Sequence, residues 1–178
     1  MKRLLRASVV VLSSAAMLAA CSGGGGGRGT NSSVPRFAYI ANSWGNNVSQ
    51  YTIGSDGSLT PMATPTVTAG TYPHSVMIAP SGKYAYVANE GSNTISQYTI
   101  GSNGSLTSMA TPTVASGTNP YSITVDPSGK YAYVANFAYQ GTISQYTIGS
   151  NGGLTPMATP TVAAGFSPIS VTTVGSYQ

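Results

Sequence analysis

The sequence is poor in charge. Of its 178 residues, 7 are Lys or Arg, 3 are Asp or Glu and 1 is His. Charged residues make up 6% of the chain, against about 25% in an ordinary soluble domain. Three of the cations, Lys2, Arg3 and Arg6, lie at the start. Because nucleic acids need clustered cations and metal sites need several acidic, His or Cys ligands, we expect no nucleic-acid partner, no metal and no cofactor.

Cysteine is nearly absent as well. The single Cys21 excludes an intrachain disulfide. Residues 1–20 have the features of an export signal: a basic start, an apolar stretch of about a dozen residues, too short to span a bilayer, and small residues at the end. Leu18-Ala19-Ala20-Cys21 resembles the bacterial lipobox, in which the Cys becomes the lipid-bearing first residue. The alternative is an ordinary signal peptide followed by an unrelated Cys.

Residues 21–35 are rich in Gly and Ser and lack apolar periodicity, so we expect a tether between a membrane surface and a folded body. In lipoproteins of this kind an Asp after the lipidated Cys favours retention in the inner membrane. Ser22 occupies that position here. The resemblance therefore implies a bacterial cell-envelope protein that is lipid-anchored in the outer membrane.

The rest of the chain, residues 36–178, consists of three similar units. A Tyr-Ile/Val-Ala-Asn segment recurs at intervals of 47 residues, and a Ser-Gln-Tyr-Thr-Ile-Gly segment at intervals of 47 and 48. The first begins at Tyr39, Tyr86 and Tyr133, and the second at Ser49, Ser96 and Ser144. With 41% hydrophobic residues and 12 Tyr, these units are predicted to fold.

Each unit divides into four β segments. In the middle unit they span residues 75–79, 84–89, 94–100 and 106–114, separated by turns rich in Gly, Asn and Pro. Tyr84 and Tyr86 are predicted to share one face of their strand, and Ala85 and Val87 the other. The last strand contains Pro112, which lacks a backbone donor, so this strand is predicted to be outermost.

Four-stranded antiparallel sheets repeated every 40 to 50 residues are typical of β-propellers. The fold class is therefore all-β, with about three propeller blades. The Tyr-Val-Ala-Asn segments and the Asp126-Pro127-Ser128-Gly129-Lys130 turn resemble the YVTN-repeat and lactonase-like seven-bladed propellers over residues 36–178. That family closes rings of seven blades, whereas this sequence contains three units.

The phase of the repeat gives an expectation about assembly. The first unit opens with a second strand, 37–42, and residues 169–174 align with the first strands of the other units. We expect 169–174 to be a twelfth strand that completes the first blade of another copy, giving a six-bladed ring by self-association. The alternatives are a monomeric open fan and a shortened gene product that folds poorly.

His74 and Glu90 are the only His and Glu in the chain. If the turn centres on Gly82, the two face each other across neighbouring strands. One interpretation is a general acid/base pair at positions where the lactonase-like family places polar active-site residues. The other is a solvated surface pair. We favour the second, because no Arg or Lys is evident near this rim to hold an anionic substrate or to stabilise an oxyanion.

The same rim is predicted to carry aromatic side chains. Trp44, Tyr72, Tyr121 and Phe137 are the candidate ligand-facing residues, and Tyr139 and Phe166 add to the aromatic character. Trp44 either is exposed and stacks on a sugar or a partner, or it packs against a blade edge. Asp56 and Asp126 are interpreted as turn residues.

Three functions remain open from the sequence. The first is a lipid-anchored binding or scaffolding surface with an unknown ligand. The second, implied by the family resemblance, is a lactonase-like hydrolase of the 6-phosphogluconolactonase type that uses His74 and Glu90. The third is a shortened paralogue without retained activity.

Overall fold

The computed structural model describes residues 35–175. These form eleven β-strands and one short 3-10 turn, Ser43–Gly45, between the first two strands. The strands are β1 (Arg36–Asn42), β2 (Asn47–Ile53), β3 (Leu59–Thr68), β4 (Pro73–Ile78), β5 (Tyr84–Asn89), β6 (Thr94–Ile100), β7 (Leu106–Ala115), β8 (Pro120–Val125), β9 (Tyr131–Asn136), β10 (Thr142–Ile148) and β11 (Leu154–Ala163).

The strands form three antiparallel sheets, which we call blades 1, 2 and 3. Blade 1 contains β1 to β3, blade 2 contains β4 to β7, and blade 3 contains β8 to β11, each in chain order across the sheet. This confirms the prediction of an all-β partial propeller that begins with the second strand of a blade. The first strand of blade 2 starts at Pro73, two residues earlier than predicted.

The Pro-bearing strands are outermost, as predicted. β3, β7 and β11 lie at the sheet edges and contain Pro65, Pro112 and Pro160. In blade 2, Ser96 pairs with Thr113 but Tyr98 pairs with Ser108, so the outer strand bulges away opposite Gln97. The Gln97 Nε2 atom donates to the Thr111 carbonyl at 2.9 Å and bridges this gap. The side-chain amide thus supplies a donor to a carbonyl in the stretch of β7 that the register shift leaves outside the ladder.

The core lies between the blades, because blade 2 packs one face against blade 1 and the other face against blade 3. Tyr86 and Ala88 pack in a cluster with Ile123 of blade 3. Ala85 and Val87 pack in a second cluster with Tyr39 and Val48 of blade 1. The predicted division of β5 into two faces is therefore correct. Uncharged strands follow from this arrangement, since neither face of blade 2 meets water.

Buried tyrosine hydroxyls cross between the blades. Tyr39 donates to the Gly104 carbonyl at 2.6 Å, and Tyr86 donates to the Gly152 carbonyl at 2.7 Å. In the opposite direction, Tyr98 and Tyr146 donate to carbonyls at the ends of the preceding outer strands. Each hydroxyl satisfies an acceptor that packing removes from solvent.

Residues 169–174 form no β-ladder within the described chain; the strand predicted for them pairs with another copy. They run beside β8 with only isolated bonds: Val171 N donates to Ser122 Oγ at 3.3 Å, and Thr173 Oγ1 donates to the Val125 carbonyl at 3.2 Å. The same kind of bond joins Ile123 N to Ser75 Oγ at 3.4 Å between blades 2 and 3. The segment therefore lies where the inner strand of a following blade would lie, but within residues 35–175 it has no ladder partner.

The predicted export signal, Cys21 and most of the tether lie outside the described residues. Within residues 35–175, no helix is long and apolar enough to cross a membrane.

The buried tyrosines predict alkaline unfolding. Burial raises the pKa of Tyr39 from 10.0 to about 12, and burial also raises the pKa values of Tyr86, Tyr98 and Tyr146. Because the pKa of Tyr39 is higher in the folded than in the unfolded chain, its hydroxyl contributes to the free energy of unfolding fully below pH 10, and this contribution is lost as the pH rises through about 12. We expect the urea midpoint to fall in that window and to fall less steeply in Tyr39→Phe. A midpoint independent of pH there would contradict this account.

Candidate ligand-binding rim

The fold gathers six loops at one end of the blades, which we call the upper rim. Antiparallel connection brings the ends of β1, β3, β5, β7, β9 and β11 to this end together with the starts of the strands that follow. The opposite end, the lower rim, contains the hairpin turns 54–58, 79–83, 101–105, 126–130 and 149–153.

Charged residues are divided unequally between the rims. Arg36 and the four charged turn residues lie at the lower rim; these are Asp56, Lys83, Asp126 and Lys130. Within residues 35–175, the upper rim therefore contains one His, His74, and one acidic residue, Glu90, and it contains no Lys or Arg. In the part of the chain that the structure describes, Arg36, Lys83 and Lys130 all lie at the lower rim.

The two lower-rim carboxylates cap turns, as predicted. The Asp56 carboxylate accepts bonds from the Ser58 amide and hydroxyl. Asp126 accepts from the backbone of Ser128, Lys130 and Tyr131. Burial alone would raise the Asp126 pKa, but these bonds together with the Ser128 hydroxyl outweigh burial and lower it. Both carboxylates thus have all the partners that a structural role requires.

His74 and Glu90 meet at the upper rim. His74 Nε2 lies 2.6 Å from Glu90 Oε2. The register that led to this prediction is wrong, however, because Pro73 pairs with Asn89 and Ser75 pairs with Ala88. His74 is the extra residue of a β-bulge, which re-aims its side chain toward the loop that follows β5.

The bulge recurs in blade 3 and makes a row of rings. Tyr121 is the extra residue between Pro120 and Ser122. Its ring stacks on the His74 imidazole with centroids 4.2 Å apart and an angle of 25°. Phe137 lies on the other side, with its centroid 5.7 Å from that of Tyr121. Three of the candidate residues are therefore one contiguous cluster.

The surroundings of His74 restrict its chemistry. Nε2 is occupied by Glu90, while Nδ1 is buried and has no hydrogen-bond partner among residues 35–175. A general base needs a nitrogen within reach of the proton that it removes. As placed, the imidazole presents its edge to Glu90 and a face to Tyr121, so both the edge and the face are occupied by neighbouring side chains.

Trp44 and Tyr72 form a second aromatic pair at the same rim. Their centroids are 5.5 Å apart and their planes meet at 83°, so the rings contact edge to face. Trp44 is 78% exposed. Of the two arrangements predicted for Trp44, the structure therefore has the exposed one. Tyr139 and Phe166 make a further exposed pair, with centroids 4.8 Å apart.

Asparagine clamps hold the rim loops, and the sequence analysis missed them. Asn46 and Asn93 adopt positive φ values of 52° and 54°. The Asn46 side chain accepts a bond from Tyr72 N at 2.9 Å, and the Asn93 side chain accepts one from Asn119 N at 2.8 Å. The sequence feature that could have indicated these clamps is an Asn at the same place in the first two units, where the third unit has Gln140. The clamps fix loops of one blade to those of the next.

Comparison with known families agrees with this architecture. Residues 25–112 match the model of the family described as "Lactonase, 7-bladed beta-propeller". The matched repeats are similar to those of lactonase-like β-propellers. No curated protein is significantly similar to this lactonase-like chain in sequence.

Solved structures share the fold of this lactonase-like propeller. A putative 6-phosphogluconolactonase from Bacteroides uniformis is 19% identical, with a TM-score of 0.66, over 74% of this chain and 39% of its own. The Pseudomonas aeruginosa periplasmic gluconolactonase is 19% identical, with a TM-score of 0.60, over 75% and 40%. A functionally unknown protein from Desulfotomaculum acetoxidans is 25% identical, with a TM-score of 0.59, over 66% and 36%. This chain thus spans well under half the length of these structures.

No group of three or more potential metal-ligating side chains occurs in the described part of the chain. What the rim offers instead is exposed ring surface beside the contact between His74 and Glu90.

Proposed function

We propose that the protein is a lipid-anchored binding protein of the bacterial cell envelope, whose upper rim binds a neutral, weakly polar ligand such as a carbohydrate. The observation that carries the proposal is the exposure of the Trp44 and Tyr72 rings at a rim whose one His and one Glu contact each other, with His74 Nε2 2.6 Å from Glu90 Oε2.

The chemistry of the rim favours ring stacking over charge recognition. Trp44, Tyr72 and the His74–Tyr121–Phe137 cluster offer flat, polarisable faces and edges. Such surfaces bind apolar ring faces, and the tips of Tyr and Trp supply hydrogen bonds at the wet border. An anionic ligand would need Arg or Lys, and in the described chain these lie at the lower rim. This separates the proposed ligand from a sugar phosphate.

The clamped loops support a preformed surface. The Asn46 bond to Tyr72 N ties the loop of Trp44 to the loop of its partner ring. The Ser43 hydroxyl adds a bond to the Pro73 carbonyl at 2.7 Å. Rings held in this way lose little conformational freedom on binding, which favours affinity.

Binding can be read from the single tryptophan. We expect a neutral oligosaccharide, tested as cellohexaose, chitohexaose and maltohexaose, to change the Trp44 fluorescence. Tyr72→Ala should weaken binding of the responding sugar about 2- to 12-fold, because an aromatic contact contributes roughly 0.5–1.5 kcal/mol. The control Lys83→Ala alters the lower rim and should leave the Kd unchanged. No response to any of the three sugars, or equal weakening by both variants, would count against the proposal.

The anchor is tested separately. We expect Cys21→Ser to move the protein from the membrane to the soluble fraction, because the thiol that would carry the lipid is lost. Ser22→Asp keeps the Cys and should shift the protein from the outer to the inner membrane. A Cys21→Ser protein that stays with the membrane would refute lipid anchoring, and unchanged sorting of Ser22→Asp would refute the outer-membrane assignment.

The second candidate is a lactone hydrolase, which the His74–Glu90 contact and the names of two structural neighbours favour. In such a reaction Glu90 would orient the imidazole, and a ring nitrogen would take a proton from the water that attacks the lactone carbonyl. The imidazole would first have to turn, since Nε2 is paired and Nδ1 is buried.

Turnover of glucono-δ-lactone separates the two functions. The binding proposal predicts no turnover above the uncatalysed rate. Turnover that is lost in both His74→Ala and Glu90→Gln would replace binding by catalysis. Turnover that survives His74→Ala would exclude this His as the catalyst. A shortened paralogue without activity predicts neither sugar binding nor turnover.

A further inference from the structure

The two open side faces of the fan carry matching, unsatisfied groups. We call the outward face of blade 3 the trailing face, defined by Tyr131, Tyr133 and Gln145. The outward face of blade 1 is the leading face, defined by Tyr51 and the 57–59 turn. The contacts that these groups can make are seen at their equivalents inside the molecule, because the repeat places the same residue types at both internal blade–blade interfaces.

At each internal interface, an aromatic pair of the earlier blade covers the hairpin of the later one. Tyr39 donates to the Gly104 carbonyl, and Phe37 lies so close to Gly104 that a Cβ could not be accommodated. Tyr86 and Tyr84 make the same two contacts with Gly152. Both glycines have positive φ.

Two further bonds accompany the aromatic pair. The Gln50 and Gln97 side chains accept bonds from Leu106 N and Leu154 N, each at 2.7 Å. Tyr98 of the later blade donates back to the Thr68 carbonyl at 2.7 Å. The docking of one blade on another thus uses a fixed set of uncharged donors and acceptors.

The trailing face presents the earlier-blade half of this set. Tyr131, Tyr133 and Gln145 are the equivalents of Tyr84, Tyr86 and Gln97. Tyr131 is 39% exposed, and neither the Tyr133 hydroxyl nor the Gln145 Oε1 atom has a hydrogen-bond partner among residues 35–175.

The leading face presents the later-blade half. Gly57 has the same positive φ as its equivalents, but a Cβ there would meet nothing within 4 Å. Leu59 is 49% exposed, whereas its equivalents Leu106 and Leu154 are each 7% exposed. Tyr51 is only half-buried, whereas its equivalents Tyr98 and Tyr146 are buried.

Each open side also has a strand edge without a ladder partner among residues 35–175: β1 on the leading side and residues 169–174 on the trailing side. Among residues 35–175, nothing pairs with the edge of β1 that faces away from β2. Residues 169–174 lie in the place of a next inner strand, also without a ladder partner. If the β4–β5 register is continued by the repeat, Ser170 falls opposite Ala41 and Val171 falls opposite Ile40.

We propose that a second copy of this chain occupies both faces, with blade 3 of each copy docked on blade 1 of the other. Tyr133 then bonds to the Gly57 carbonyl, Gln145 bonds to Leu59 N, and residues 169–174 add to β1. A second copy supplies both complementary halves at once, and the three described blades of each copy together make six, within the four to eight that propeller rings contain. The paired groups are uncharged, so the association is insensitive to salt.

Disulfide trapping tests the proposed register. In the full chain with Cys21→Ser, the added pair Ala41→Cys and Ser170→Cys should yield a reducible covalent dimer. The control pair Thr52→Cys and Ser170→Cys should not, because Thr52 lies on β2 and β1 separates it from the edge that residues 169–174 would join. A covalent dimer from neither pair, or equally from both, would overturn the proposed contact.

The mass in solution tests closure of the ring. The Cys21→Ser chain should scatter light as two chains, with equal masses in low and high salt. Leu59→Arg should yield one folded chain, because Leu59 is half-exposed within one copy, whereas Thr107→Arg on the outer strand of blade 2 should remain a pair. A single-chain mass for the Cys21→Ser parent, a mass that grows with concentration as in an open filament, or equal behaviour of the two Arg variants would refute the proposal.

Discussion

The structure depends on the packing of one sheet face against the next with no charge between them. Each interface combines small apolar side chains with tyrosine and glutamine groups that reach across and bond to backbone atoms of the neighbouring blade. The hydroxyl and amide groups satisfy backbone donors and acceptors that this packing removes from water. Low charge is thus a requirement of the fold, since an unpaired Lys or Glu on either face of a central blade would be buried.

The same constraint explains where function can be located. Strand faces are used for packing, and hairpins of the lower rim are used for turn chemistry, as at Asp126. At the upper rim, side chains such as Trp44 neither pack between blades nor cap hairpin turns. Its bulges at His74 and Tyr121 re-aim two residues out of the strand pattern and stack them on each other. A bulge has this effect because its extra residue is left out of the ladder and the strand bends there.

Most of the fold was predictable because the repeat shows each rule more than once. Turn residues at fixed intervals located the strands, and Pro112 placed β7 at the edge. The meeting of His74 with Glu90 was also anticipated, but for the wrong reason: a single register cannot reveal a bulge, which depends on how β4 leaves the loop after Tyr72. The Asn46 and Asn93 clamps were missed because their partners are backbone amides about 26 residues away.

The sequence by itself determined the three blades, their strand order and the near absence of charge, because these follow from local alternation, turn chemistry and repetition. Only the tertiary structure decided that Trp44 is exposed, that His74 has one nitrogen on Glu90 and the other buried, and that residues 169–174 find no ladder partner within residues 35–175. The physical reason is that exposure, side-chain direction and strand pairing depend on which neighbouring blade is present, and a local pattern does not contain its neighbours.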